Sequence, residues 1–411
     1  MNILLLAFAC EPNKGSEEGV GWNWAVNLAE KHNVFVITRG QERPFIEEYI
    51  SENSIENIEF YYFEDYDGVM HFIDKKVPMG FRTYYRWWQK KIVPIAKEII
   101  KSKKIDIIHQ LTYNEYRTPG KLYNCGLPFV WGPIGGGHEY NPVLQEAYFR
   151  KTDVLKEIVR KYINHVYLHN RDVLGAIKHA AKILVADPAT YAILPKTREY
   201  VRLLEAAYYP QRNPIKIFSS QGQNSAIRLM YAGVLTPRKG VKIIIDALGE
   251  SSFRDFELII IGEGIDRPKL EKLTKYYKLE DKIKFLGRQS YNEVNKYYDW
   301  ADLFLFPSLR DTSGNVVLEA MSHGTPVIAL NHNGASEMIT PESGDLIDIE
   351  SYSQIKLDYV SIIQKYYLDK KILEKKGIAA RKRLEMVYSW DRVMEVIDGI
   401  YMDIMTGKNR F

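Results

Sequence analysis

The sequence predicts an α/β protein made of doubly wound parallel sheets in two domains. Three observations carry this. Short apolar runs of strand length alternate with helical patterns along nearly the whole chain. At 411 residues the chain is too long for one ordinary core. Residues 206–224 (AAYYPQRNPIKIFSSQGQN) lose all periodicity and gather Pro, Ser, Gly and Gln, as an interdomain connection does. The expected division is an N-terminal domain over 1–205, a linker over 206–224, a C-terminal domain over 225–388 and a closing helix over 389–411.

Composition narrows the class. With 46% hydrophobic and 26% charged residues the chain reads as globular and soluble rather than disordered. A net charge of +4 is too near balance to argue for nucleic acid. Cys10 and Cys125 fall at the ends of strand-like runs and make no disulfide framework, which suits a reducing cytosol. No apolar stretch approaches the roughly 18 residues of a membrane span. The start, MNILLLAFAC, has no basic residue ahead of its apolar run, so residues 3–9 are expected to form a first buried strand and not a signal segment.

Further strand runs in the first half lie at 34–38, 58–63, 105–109, 129–131, 183–186 and 200–204. The loop after the first strand, EPNKGSEEGVGWNW, holds Gly15, Gly19 and Gly21 at a spacing that is no dinucleotide fingerprint. Its glycines serve either as plain turn residues or as places where backbone approaches a ligand. Residues 82–104 carry eight Lys or Arg against one acid, Glu98, with Tyr84, Tyr85, Trp87 and Trp88 interleaved. Two readings stay open there: an amphipathic helix with its aromatics inward, broken near Pro94, or a surface for lipid headgroups. The loops DIIHQLTYNEYRTPG and PFVWGPIGGGHEY follow strands and should open on one edge, which makes His109 and His138 the histidine candidates. Residues 142–182, including VLKEIVRKYINHVYL, read as amphipathic helices.

The second half repeats the alternation. Strands are expected at 227–234, 256–261, 283–286, 302–306 and 325–330. Each is followed by a turn with glycine: Lys239-Gly240, Gly262-Glu263-Gly264, Gly287-Arg288, and the loop LRDTSGN. That last loop leads into a helix over 316–323, capped by Ser313 or Asn315 and stopped by Gly324 and Pro326. The segment NHNGASE opens a further helix from about Ala335. Ser389 can cap a last helix whose apolar stripe is Trp390, Val393, Met394, Ile397, Ile400, Tyr401 and Ile404.

The chemistry gathers around residues 302–330. There a helix start stands at the carboxyl end of a parallel strand, where an anion is favoured. Asp311 precedes that start and Glu319 lies in its second turn. A carboxylate can accept from both hydroxyls of a cis-diol, so an acid on each side suits a nucleotide sugar. The plain alternative is that Asp311 caps a turn and Glu319 sits on a solvated face.

These residues resemble the retaining glycosyltransferases of family 4, which have the GT-B fold, two Rossmann-like domains facing across a cleft. The family has Glu, seven residues, Glu, then Ala-Met and a Gly-x-Pro-Val-Ile strand. This chain has Asp311, seven residues, Glu319-Ala320-Met321, then Gly324-Thr325-Pro326-Val327-Ile328. It departs in the first acid, which is shorter by one C–C bond, ~1.5 Å. Where the family has Gly-Arg-Leu followed by Lys-Gly, this chain has Gly233-Val234-Leu235 followed by Lys239-Gly240, with Arg238 beside the lysine. Gly132-Pro133 stands where relatives often carry a histidine, and His138 follows six residues on.

The resemblance implies a glycosyltransferase moving a sugar from a nucleoside diphosphate sugar to a hydroxyl, with retention. It implies catalytic roles for Lys239, Asp311 and His138. It implies a donor site of Gly15, Ser16, Arg238, Lys239, Glu263, Arg288, Asp311, Ser313, Gly314, Asn315 and Glu319, with Glu17 and Glu18 towards the acceptor. No cofactor or metal is expected, because cations and helix dipoles can neutralise the diphosphate and no His/Cys ligand cluster stands out. The implied acceptor is a glycan or lipid-linked glycan of bacterial surface polysaccharide or lipopolysaccharide synthesis. The implied place is the cytoplasm, with a peripheral contact at the inner membrane as an open reading, and no nucleic acid. Two rivals stand: a silent sugar-nucleotide-binding subunit and a sugar-nucleotide epimerase on the same fold.

Overall fold

The computed structural model describes residues 1–64, 68–76, 80–208 and 226–407. They form two compact units. One comprises Met1–Gly137, Tyr162–Glu205 and Trp390–Phe411, the other His138–Lys161 and Ala206–Ser389.

The first unit is built on a parallel sheet of β1 (Asn2–Ala7), β2 (Asn33–Arg39), β3 (Ile58–Phe63), β4 (Ile107–Thr112), β5 (Phe129–Ile134), β6 (Lys182–Val185) and β7 (Val201–Arg202). Their order in space is β3-β2-β1-β4-β5-β6-β7. Ile3 lies beside both Val34 and Ile107 in register, and the residues of β1 after Asn2 are all buried. A strand covered on both faces has to be apolar on both, so these runs lack the in–out alternation of a half-exposed sheet. The chain turns to one side from β1 and comes back on the other at β4, which makes the β1/β4 boundary the switch point of this sheet.

The second unit repeats the plan with β8 (Ile227–Ala232), β9 (Phe256–Ile261), β10 (Ile283–Gly287), β11 (Leu303–Phe306), β12 (Val327–Leu330) and β13 (Gly344–Ile347), in the order β10-β9-β8-β11-β12-β13. Here the switch point lies between β8 and β11, where Leu303 pairs with Leu229 and Phe304 with Met230. β13 was not expected, since a four-residue strand that begins with glycine carries almost no pattern.

Two other expectations need correction. Residues 138–161 were assigned with the first half, but they pack in the second unit. Leu144 and Ala147 are buried in its core with Tyr148 and Phe149 against it, and Lys242 Nζ donates to the Glu146 carbonyl at 2.8 Å. Residues 206–208 also belong to that unit, and the remainder of the linker, 209–224, lies outside the described residues. The basic aromatic stretch forms two helices, Gly80–Lys91 and Val93–Lys103, with Pro94 in the first turn of the second. Tyr84, Tyr85 and Trp88 are buried, and Trp88 meets Phe8 edge-on at 4.9 Å. These three aromatics thus lie in the core, as the amphipathic-helix reading expects, while Trp87 is half-buried.

The closing helix, Trp390–Thr406, belongs to the first unit and buries Trp390, Val393, Met394, Ile397, Ile400 and Tyr401, with Ile404 half-buried. Trp390 meets Trp24 edge-on at 6.2 Å. Among the described residues no helix is long and apolar enough to cross a membrane.

Candidate active site on the second unit

Two loops meet at the carboxyl ends of β8 and β11. The turn 236–240 and the loop 307–311 are tied by backbone bonds: the Arg238 carbonyl accepts from the amides of Leu309 at 2.8 Å and Arg310 at 3.2 Å. Gly240 has φ +65°, and a Cβ there would run into the Pro307 carbonyl oxygen. Only glycine lets the turn settle this closely on the strand end.

This approach delivers Lys239 Nζ onto Asp311 Oδ2 as an ion pair, with the Lys239 side chain largely buried. Arg238 Nη1 stands 3.7 Å from Asp311 Oδ1. Burial acts to raise the Asp311 carboxyl, but Lys239 and Arg238 outweigh it and hold the group below its ordinary value. His138 is buried in the same unit and adds to that field, and its carbonyl accepts from Arg160 Nη2 at 2.7 Å. Four of the residues singled out in the sequence, Lys239, Arg238, Asp311 and His138, thus come together.

The helix after this loop runs Asn315–Ser322. Its cap is Gly314, not Ser313 or Asn315. Gly314 has φ +68°, and a Cβ on it would lie 2.5 Å from Phe306 Cζ, so a side-chain cap is sterically barred from the position. Ser313 Oγ instead bonds Asn315 Oδ1 at 2.8 Å. The partial positive charge of the helix start thus stands at Gly314 and Asn315, between Asp311 and Glu319 in the sequence.

Glu319, in the second turn, is not on a solvated face. Its Oε1 accepts from the Tyr208 hydroxyl at 2.8 Å and its Oε2 from the Tyr298 hydroxyl at 2.8 Å. Burial lifts its carboxyl above the usual value, against two hydroxyls that favour the charged form. Each oxygen keeps a second lone pair, so a diol can still be received.

None of the bonds given above involves the side chain of another candidate. Glu263 is half-exposed and paired with Arg267, and Arg288 is exposed. Val234 is also exposed, so no cation replaces the family arginine at that position. Gly15 and Ser16 open the helix Ser16–Ala29 of the first unit, both exposed, Ser16 at φ +59°. His109 is excluded as a reacting base. Its Nε2 donates to the Gly132 carbonyl at 2.7 Å, its Nδ1 accepts from the Tyr401 hydroxyl at 2.6 Å, and burial pulls it down to about 4.

Sequence reasoning missed Tyr208, Tyr298 and His332. His332 Nε2 donates to the Ser308 carbonyl at 2.7 Å, and burial, with His138 nearby, holds it below its usual value. Its place in NHNGASE, the segment that opens the helix from about Ala335, was the one available signal. Among the described residues no group of three or more His, Cys, Asp or Glu could hold a metal ion.

Residues 214–383 match the family described as glycosyl transferases group 1. The chain is 30% identical over 149 residues to an amylovoran biosynthesis glycosyltransferase of Erwinia amylovora, covering 34% of this chain and 36% of that protein. It is 30% identical over 179 residues to a GDP-mannose-dependent monoacylated alpha-(1-6)-phosphatidylinositol monomannoside mannosyltransferase of Corynebacterium glutamicum, covering 40% and 44%. The matched stretches thus span less than half the length of these curated relatives. A crystal structure from Anabaena, in complex with UDP and glucose, superposes with a TM-score of 0.58 over 97% of this chain and 98% of the other at 17% identity, a likeness of fold. Residues 214–383 thus carry the group 1 glycosyl transferase match, and the two parallel sheets with this whole-chain likeness give the chain the GT-B fold.

Proposed function

We propose that the protein transfers a sugar from a nucleoside diphosphate sugar to a hydroxyl of a glycan or lipid-linked glycan, retaining the anomeric configuration. The observation that carries this is the Lys239–Asp311 ion pair at the β8/β11 switch point, one loop from Glu319. In the reaction the bond from the anomeric carbon to the phosphate oxygen breaks and its electron pair stays on the diphosphate. The acceptor oxygen bonds the same carbon and its proton passes to the departing phosphate. Lys239 and Arg238, with the start of the 315–322 helix, meet the negative charge as it develops. Glu319 holds the ribose diol and Asp311 the sugar hydroxyls, and the neighbouring His138 helps to position Asp311. These cations take the place of a metal, so activity should survive chelation.

The relatives named above act in amylovoran synthesis and on a phosphatidylinositol mannoside. They support a place for this chain in bacterial cell-surface glycan synthesis, which we take to proceed in the cytoplasm with peripheral contact at the inner membrane. A thermal-shift panel of UDP, GDP, ADP and their sugars tests the donor site. One nucleotide and its sugar should raise the melting temperature of the wild type, and the gain should disappear in a Lys239→Ala, Glu319→Ala double variant. No response to any nucleotide would remove the reading.

A further inference from the structure

We infer that Tyr208 is a positioning residue for the donor ribose, and that it ties nucleotide binding to the two places where the chain enters and leaves the second unit. This rests on Glu319 receiving a ribose diol, as proposed above, and adds what holds that acid ready. Every residue involved lies in the second unit.

Glu319 differs from Asp311 in having no cation. Asp311 is met by Lys239 and Arg238. Among the described residues Glu319 makes no ion pair, and each of its oxygens takes one tyrosine hydroxyl, Tyr208 on Oε1 and Tyr298 on Oε2, both at 2.8 Å. Burial works against its charge, so the carboxylate depends on those two donors. Taking one away leaves a buried oxygen without that partner, and the group turns or takes up a proton in place of meeting the diol.

The two donors are mounted differently. Tyr298 stands on the helix Tyr291–Trp300 and is fully buried. Its carbonyl accepts from Thr325 Oγ1 at 2.8 Å, and its ring stacks with that of His323, centroids 5.5 Å apart. Tyr208 is half-buried and belongs to no helix and no strand of the sheet. Its amide donates to the Tyr388 carbonyl at 3.0 Å, and a single parallel bridge joins it to Ser389. Ala206 is the first residue after the chain comes over from the first unit, and Ser389 is the last before it returns. The hydroxyl that completes Glu319 is therefore carried by the pairing of the incoming chain with the outgoing one. Burial and the Glu319 charge hold the Tyr208 phenol well above its ordinary value, so it stays a donor. A diol on Glu319 and the pairing of residues 208 and 389 then stabilise each other, because linkage is reciprocal. Whatever draws the two segments apart loosens the nucleotide, and a bound nucleotide holds them together.

The test uses whichever of UDP, GDP and ADP raises the melting temperature of the wild type, with its dideoxyribose form as the control that lacks the diol. In the full chain Tyr208→Phe should weaken the ribonucleotide roughly 10-fold by titration calorimetry, the worth of a hydrogen bond to a charged group. It should bind the dideoxy form as the wild type does, because the missing hydroxyl acts only through the diol. Donor KM should rise by a similar factor with kcat unchanged. Hydrogen exchange at the amide of residue 208 should slow on adding the ribonucleotide to the wild type, and not to the variant. Equal binding of the ribonucleotide by wild type and Tyr208→Phe would overturn the inference and leave the transferase reading. So would an equal loss for both nucleotide forms, which would make Tyr208 a structural strut only, or exchange at residue 208 that ignores the nucleotide in the wild type. A wild type that binds none of the three nucleotides would remove the reading and the inference with it.

Discussion

The two sheets share a topology and solve their switch points in opposite ways. Between β8 and β11 a carboxylate is pressed down by cations: Asp311 sits between Lys239 and Arg238 and stays charged. At the other switch point, where β1 leads into the helix Ser16–Ala29, a carboxylate is pressed up. Burial, then Glu205, then Glu18 push Glu17 up to about 8, and its Oε2 is buried with no hydrogen-bond partner. The cations of that unit serve Glu115 instead, with Arg82 at 3.2 Å and Arg117 at 2.9 Å. One carboxylate is thus held charged at the switch point of the second unit, and another is favoured in its protonated form at that of the first.

The comparison breaks first at Lys239. Lys239→Ala should lower kcat/KM for sugar transfer by roughly 100- to 1000-fold, as removal of a group that stabilises developing charge does. Initial rates at fixed acceptor measure this, with Lys239→Arg expected to recover part of the loss. A Lys239→Ala enzyme with unchanged rate would mean that the ion pair is only a strut between two loops. The next effect is on stability. Gly314→Ala places a methyl 2.5 Å from Phe306 Cζ at φ +68° and should cost about 2–3 kcal/mol in urea unfolding. Gly15→Ala, at φ −89° with open space above it, should cost less than ~1 kcal/mol. Equal losses at the two glycines would show that the first loop is as tightly built as the second.

Much of the second unit was legible because its signals are local. The runs 256–261, 303–306 and 327–330 are continuous and apolar, and the glycine turns follow them directly. Lys239 and Asp311 were found because both belong to a motif. What was not legible is what depends on distant partners. Tyr208 bonds Glu319 across 111 positions in sequence, from a stretch whose lost periodicity named it only a connection. His138 was found in sequence but given to the wrong unit, since nothing in GGGHEY says which core the following residues join. The 151–168 helix shows the limit of periodicity most directly. Its pattern announced an amphipathic helix, but not that its apolar side faces out. On its other side Glu157 is paired with Arg310, 153 residues away.

The finest test lies in the first unit, where two buried groups give opposite slopes of stability with pH. Burial brings His109 down from an ordinary 6.5 to about 4, so between those values the unfolded chain holds the extra proton. The contribution of His109 is fully present above pH 6.5 and fades as pH falls towards 4. Glu17 runs the other way. Its folded value of about 8 lies above an ordinary 4.5, so in that window the folded chain holds the extra proton. The contribution is full below pH 4.5 and is lost as pH rises through 8. Between 4.5 and 6.5 the slopes oppose each other, and between 6.5 and 8 only that of Glu17 remains. Glu17 is only half-buried, which discounts the effect to a shift on the order of 2–4 °C in melting temperature. Glu17→Gln should therefore flatten the profile between pH 6.5 and 8 and leave the His109 slope unopposed between 4.5 and 6.5. If the variant follows the wild type across that window, Glu17 is already ionised at neutral pH, and the contrast between the two switch points disappears.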